Sequence, residues 1–474
     1  MRRRGRRGAG RVRLAVAGAA LVAVLIAALS GGSPPPLPLP GIGRPARSGD
    51  PFAYLPGRQA ALVARATAGS ANVLFTKSPG GAPATAARVS AFRGLIDRAT
   101  AGTGIDPDML EGIVFLESAG DPNAVAGTDP ANAAGLTQIL AETGQSLLGM
   151  HIDLARSRRL TAQIDRAYAL GEGARVASLQ RARARVDDRF DPAKALAATV
   201  RYLELAKQRF GRLDLAVESY HMGIGNLQSV LSAYDGGQAV PYVQLYFDTS
   251  PDHNGSAYRL LSGFGDDSWT YYWRVLGAEQ IMTLYRSDPA ALRRLSGLQT
   301  SAGSNAEVLH PPDRTPTFSD PGALDAAYST REILPLPSNA KALGLAYDPA
   351  MGSLSHRLGV SAALYRGLRA PALDLLIELA ARVRTLSGGL APLTVTSTVA
   401  DQRYQQALGI NDPPAAAGWS FTIARHYVRE AQALAFQAML DRLQSLNLIA
   451  WERFPGEIEI TVASDADTVI ERGP

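Results

Sequence analysis

No cysteine occurs in the 474 residues. A lipoprotein lipid therefore has nothing to attach to, and no disulfide can support a folded part of the chain. A general excess of positive charge is missing as well. Lysine and arginine number 48 against 43 aspartates and glutamates and the pI is near 9.4, yet seven of the arginines lie between Arg2 and Arg13. Beyond Arg13 the count is 41 against 43, a net charge of about −2. The basic pI thus reflects a targeting signal, and nucleic acid is not an expected partner. Internal repeats are also absent. What is present, 46% hydrophobic residues in a chain of this length, predicts two or three globular domains.

Directly after the arginines comes an apolar run, Leu14 to Leu29, interrupted only by Gly18, then Ser30-Gly31-Gly32-Ser33 and a proline-rich stretch, Pro34 to Pro40. The run is intermediate in length between a cleavable export signal and a membrane span. With no clean A-x-A site after it, an uncleaved membrane anchor over residues 1–33 is the favoured expectation, with the chain beyond it outside the cytoplasm. Residues 34–92 read as a Pro/Gly-rich spacer and approach segment.

From Val89 to about Ala291 the pattern is almost wholly helical, with glycine loops near 102–104, 120–134, 171–173 and 236–237. The stretch 93–300 is expected to be an all-α domain, and 301–345, with prolines from Pro311 to Pro337, a linker. Over 346–474 the pattern predicts helices at Pro371–Leu386 and Arg429–Leu446, a strand at Leu393–Val399, and a hairpin of Leu448–Trp451 with Glu457–Val462. The expected fold class is mainly α, with a small C-terminal α+β domain.

Three short stretches carry the chemistry. Asp106 caps and Pro107 begins a helix that runs to about Ser118, where Gly120-Asp121-Pro122 stops it. Leu110, Ile113, Val114 and Glu117 share one face of that helix. A carboxylate on an apolar stripe at a helix C-terminus has its pKa raised by desolvation and by the macrodipole. A glutamic acid that stays protonated near neutral pH can protonate a glycosidic oxygen. The plainer reading places Glu117 in solvent or against an arginine. The second stretch is Gly135-Leu136-Thr137-Gln138-Ile139, where the glutamine amide can bond sugar hydroxyl and amide groups; a helix start after a glycine turn is its plainer reading. In the third, Leu213, Ala216, Val217 and Tyr220 form an apolar face, so Tyr220 points inward, either to orient Glu117 or to satisfy itself on a backbone carbonyl.

These stretches together resemble the soluble lytic transglycosylase (SLT) type of lysozyme-like domain, over roughly residues 93 to 300. Glu117-Ser118 stands at the family's catalytic glutamate. Gly135 to Gln138 stands at its Gly-Leu-Met-Gln, with Thr137 for Met. Ser219-Tyr220-His221-Met222-Gly223 stands at its Ala-Tyr-Asn-Ala-Gly, with His221 for Asn, and Asp191-Pro192 through Tyr202 matches the preceding helix. The resemblance implies peptidoglycan glycan strands as the partner and Glu117 as the one acid, with Ser118, Gln138, Tyr220 and His221 binding or positioning the sugar. It further implies cleavage of the MurNAc–GlcNAc bond to a 1,6-anhydro product, with no metal and no other cofactor. Asp121, Asp129 and Glu142 are candidates for a second carboxylate, but none has a counterpart in that family. A hydrolytic muramidase on the same scaffold, or a non-catalytic wall-binding or scaffold protein, are the competing readings. The run from Ala141 to Arg189, rich in arginine, reads as a solvated helical hairpin or as a basic flap over an anionic wall polymer.

The C-terminal stretch faintly resembles the zinc D-Ala-D-Ala carboxypeptidases of the M15 type. Anchored on Gly418, the likeness puts Ala415, Thr422 and Glu459 where that family has its zinc ligands, which implies a domain with neither zinc nor peptidase activity. His426 and Glu430 are spaced as one helical turn, which suits an i, i+4 hydrogen bond better than a metal pair.

Overall fold

The computed structural model describes residues 50–471 apart from 266. The expected anchor over 1–33, and the spacer as far as residue 49, lie outside the described residues. No helix among the described residues is long and apolar enough to cross a membrane. The chain is mainly α with a small C-terminal sheet, and it divides into two compact units.

The first unit comprises Lys77–Gln228 and Leu261–Pro289. At its centre the Pro107–Ser118 helix starts where expected: the Asp106 carboxylate accepts from the amide of Asp108 at 2.9 Å, and Pro107 takes the first helical position. It ends at Ala119, in the left-handed region at φ 53°, followed by Gly120. The Arg88 guanidinium holds that end by donating to the Ala119 carbonyl at 3.0 Å. Leu110, Ile113 and Val114 are fully buried, and the helix packs along the Tyr271–Ser287 helix. Gly112 permits this approach, since a Cβ there would lie 2.8 Å from the Val275 carbonyl oxygen. A charged tie reinforces the packing: buried Glu111 receives Arg93 at 3.2 Å and also bonds Arg286, while Asp108 bonds the same two arginines. The Pro192–Phe210 helix, capped by Asp191 and closed by Gly211 at φ 70°, packs against the Leu213–Met222 helix.

The second unit comprises residues 50–76, Ser229–Leu260 and the described residues from Ala290 onward. We number its strands β1 (Leu334–Pro335), β2 (Leu345–Tyr347), β3 (Gly367–Leu368), β4 (Leu393–Ser397), β5 (Ser420–Ala424), β6 (Ile449–Arg453) and β7 (Glu457–Val462). A five-stranded sheet runs β2-β4-β5-β7-β6, parallel only between β2 and β4, and β1 pairs separately with β3. The Ala370–Ser387 and Glu430–Ser445 helices pack on each other and on this sheet.

Two boundaries differ from those read in the sequence. The stretch 301–345, expected as a linker, is folded: Asp320 caps a Pro321–Ser329 helix, and Phe318, Leu324, Ala327 and Ile333 are buried with Tyr365, Val399 and Tyr404. Its prolines misled because Pro321 sits in the first turn of a helix and Pro335 in a two-residue strand, positions that tolerate proline. The range 93–300 is likewise not one unit, since 229–260 and 290–300 group with the sheet while 77–92 join the first unit. His426 lies ahead of the Glu430–Ser445 helix, so it does not share a helical turn with Glu430.

Candidate active site

Glu117 is part-buried, and its Oε1 accepts a hydrogen bond of 2.7 Å from the hydroxyl of Tyr271. Burial pushes its pKa up to about 7, although the Tyr271 bond pulls the other way. Tyr271 itself is buried at the start of its helix, on the inward face that continues through Val275, Ala278 and Met282. Burial, then the neighbouring Glu117 carboxyl, drives its hydroxyl well above the usual tyrosine range, so it remains a donor. Glu218, also fully buried, accepts from the amide of Tyr272 at 2.9 Å and so holds the N-terminus that presents Tyr271.

Tyr220 does not reach the acid. Its hydroxyl donates to the carbonyl of Thr137 at 2.8 Å and lies 3.2 Å from the Thr199 hydroxyl. The expectation that it orients Glu117 is thus corrected, and of the two readings of its inward position the backbone carbonyl is the one found. Its ring stacks on Tyr271 at 6.3 Å between centroids and takes the edge of Tyr202 at 5.1 Å. His221 stacks on Tyr271 at 5.2 Å, and its Nδ1 is 2.8 Å from the hydroxyl of buried Ser268. Tyr271 therefore carries Glu117 on its hydroxyl and both Tyr220 and His221 against its ring.

The Gly135–Gln138 segment forms a tight turn, neither a helix start nor an open loop, closed by the antiparallel bridge between Ala134 and Ile139. Gly135 has φ +80°, and a Cβ on it would lie 1.8 Å from the Arg189 carbonyl oxygen, so only glycine fits. Ser118 donates to the Leu136 carbonyl at 2.7 Å and fastens the end of the acid's helix to this turn. Gln138, at φ 52°, donates its amide nitrogen to the carbonyls of Gly135 and Ala124 at 2.8 and 3.3 Å. Its amide hydrogens are thus occupied, which leaves the amide oxygen as its acceptor. The Thr137 side chain is fully buried, and its hydroxyl has no hydrogen-bond partner among the described residues.

Under the turn lies a buried ion pair. The Arg189 guanidinium holds Asp187 through two bonds of 2.9 and 2.7 Å and donates to the carbonyls of Pro130, Asn132 and Ile139. Arg183, buried and pushed down to about 10 by desolvation, bonds Thr161 and Asn123 and lies over the Phe190 ring at 3.6 Å. These two arginines correct the picture of a wholly solvated hairpin: they are the core of its base. Of the candidate second carboxylates, Asp129 is held by Arg158 through bonds of 2.8 and 2.9 Å, and Asp121 closes a turn on the amide of Asn123. Glu142 lies in the first turn of the short Ala141–Ser146 helix.

Sequence reasoning missed Tyr271 and Ser268. The signal was the run Ser268-Trp269-Thr270-Tyr271-Tyr272-Trp273 in a chain with only 7% aromatic residues. In the second unit, Thr422 and Glu459 are cross-strand partners on β5 and β7, and the Asp412 carboxyl hydrogen-bonds Glu459. Burial, then the Asp412 charge, pushes Glu459 up to about 8. Among the described residues no group of three or more histidines and carboxylates is placed to hold a metal ion.

Residues 94–164 match the family model described as the Transglycosylase SLT domain. The match includes Glu117, Ser118 and the turn at Gln138; Tyr220, His221 and Tyr271 lie beyond it. No curated protein matches the chain. The chain therefore carries a domain of the transglycosylase type that acts on peptidoglycan, and the M15 likeness rests on the sequence pattern alone.

Proposed function

We propose that this SLT-bearing chain is a lytic transglycosylase that cleaves the MurNAc–GlcNAc bond of peptidoglycan with Glu117 as its one acid and base, during cell-wall remodelling. The hydrogen bond from Tyr271 to Glu117 carries the reading. It makes Oε1 an acceptor, which leaves the proton on Oε2, and burial keeps that proton in place to about pH 7. In the first step Oε2 gives its proton to the bridging oxygen as the bond from C1 to that oxygen breaks; the substrate's N-acetyl group stabilises the cationic sugar. The new carboxylate, still held by Tyr271, then takes the proton of the C6 hydroxyl while O6 bonds to C1. Atoms balance without water, and the product carries a 1,6-anhydro ring. Ser118 keeps the turn against the acid's helix, Gln138 offers its amide oxygen to a sugar hydroxyl, and His221, stacked on Tyr271, offers its imidazole to the sugar. The N-terminal pattern of arginines and an apolar run supports an exported chain held at the outer face of the membrane by that segment.

The test is digestion of purified peptidoglycan by the full-length protein and by Glu117→Gln, with products read by mass spectrometry. Anhydromuramyl ends from the wild type and none from the variant are expected. Reducing ends alone would establish the muramidase reading instead. Equal digestion by both forms would remove Glu117 from the mechanism, and no digestion by either would favour a wall-binding role.

A further inference from the structure

The chain from Ala141 to Arg189 contains nine arginines, six acidic residues and no lysine. The structure sorts them. Arg183 and Arg189 are buried in the hairpin base, Arg158 pairs with Asp129, and Arg175 pairs with Glu172. Arg156, Arg159, Arg166, Arg181 and Arg185 remain; all five are exposed, and their side chains have no hydrogen-bond or ion-pair partner among the described residues. On the Leu154–Ala169 helix, Arg156, Arg159 and Arg166 fall on one stripe by the three-four repeat. Arg159 and Arg166 lie opposite the buried Ser157, Thr161 and Ile164, and Arg156 lies at the edge of that buried face. Arg181 and Arg185 are four apart at the end of the Gly173–Ala184 helix. Of the six acids, Asp187 is buried against Arg189, Asp188 pairs with Lys194, Glu172 with Arg175, and Asp153 caps its helix; Asp165, exposed beside Arg166, and Glu142 are left against the five arginines.

This hairpin is fastened to the site. An antiparallel bridge between Ile152 and Asp187 closes its base. Arg189 then ties that base to the carbonyls on both sides of the Gly135–Gln138 turn. We infer that the arginine stripes of this hairpin bind the stem-peptide carboxylates of the glycan strand being cut, an inference that rests on the peptidoglycan-cleaving reading of Glu117. Guanidinium forks without a single lysine suit planar carboxylates, which they grip through two parallel bonds. Because the hairpin base and the turn of the site share one set of hydrogen bonds, the anionic polymer that meets the hairpin first is the substrate itself. The exposed Tyr168 and Leu170, 74% and 64% accessible at the hairpin tip, would suit a lipid surface, and the test includes that case.

The experiment is cosedimentation of the full-length protein in a Glu117→Gln background, so that binding is read without cleavage. The binding partners are intact sacculi, sacculi stripped of stem peptides by an amidase, and phosphatidylglycerol vesicles. Intact sacculi should bind roughly tenfold more tightly than stripped glycan, with the difference shrinking as salt rises. The set R156Q/R159Q/R166Q/R181Q/R185Q should abolish that preference with unchanged helicity. R156Q/R159Q/R166Q alone should lose part of it and serves if the full set does not fold. A preference that survives the substitutions, a loss equal on both wall forms, or a loss seen only with the vesicles would overturn the proposal. Absence of anhydro products from the wild type would count against the cleavage reading and leave this binding measurement intact.

Discussion

Holding a proton on Glu117 to about pH 7 has a thermodynamic consequence for the fold around it. The native carboxyl keeps its proton up to about 7, whereas in the unfolded chain it ionises near the ordinary glutamate value of 4.5. Between those values the unfolded state binds fewer protons, so stability falls as pH rises through the window. Glu117→Gln, which cannot ionise, should therefore stabilise the protein at pH 8 by about 1–3 kcal/mol and much less at pH 4.5, as chemical denaturation would measure. Removing the Tyr271 hydroxyl acts on the same group with a known sign. Its bond lowers the Glu117 pKa, so Tyr271→Phe should move the alkaline limb of the activity profile upward and reduce turnover by about 10–100-fold. A limb that moves to lower pH would contradict this. Thr137 makes a simpler case: Thr137→Val removes a buried hydroxyl with no partner and keeps the shape, so thermal unfolding should show a gain of about 1 kcal/mol with the turn intact. At this scale the position of Glu117 was legible, because capping and the three-four spacing place it at a helix end on the same stripe as buried Leu110, Ile113 and Val114. Its hydrogen-bond partner was not. Tyr220 and Tyr271 both point inward, and only the packing of two helices distant in sequence decides which hydroxyl meets the carboxyl.

Secondary structure followed the sequence closely where local rules govern it. Asp106-Pro107 and Asp191-Pro192 start helices as capping chemistry requires, and the C-terminal hairpin turns at Pro455-Gly456 with strands ending within two residues of those expected. The element that sequence reasoning misjudged is the arginine-rich hairpin. Charge is a good guide to a solvated face, but nothing in the spacing of Arg183 and Arg189 separates them from their exposed neighbours. Their burial depends on Asp187, on Phe190 and on carbonyls supplied by the loop at 123–139. Arg189→Lys tests how much that element depends on the fork. A lysine retains the charge but cannot hold Asp187 and three carbonyls together, so a loss of about 2–4 kcal/mol is expected. Glycan cleavage should fall with it, since the turn that carries Gln138 loses its floor. Unchanged stability in denaturant titration would show that the guanidinium bonds are dispensable.

For the molecule as a whole, the upward shifts act together. Burial raises Glu117 to about 7, Glu279 to about 8 and Glu459 to about 8, and these groups occur in both units. Each binds its proton more tightly in the folded state, so each contributes a loss of stability between about pH 4.5 and 8. The protein should melt at a higher temperature at pH 5 than at pH 8 in buffers of equal ionic strength, the opposite of a fold held by ionised carboxylates. The two-unit division itself was less legible than the site. Composition points to a linker wherever proline accumulates, yet Pro321 and Pro335 lie in a helix start and a strand. The burial of Phe318, Leu324 and Ile333 shows that the segment belongs to a core.

Gly135 and Arg189 meet backbone to side-chainless backbone, and the same arginine grips the loop ahead of the turn. The hairpin can therefore vary in only one direction. Residues can be added or removed at its far end, around Gly171 and Gly173 where open space surrounds the chain, without disturbing the acid. The same change at the base would shift the turn. This divides the hairpin into a far end whose length can change and a base fixed to the turn beside Glu117, so the two can be altered separately.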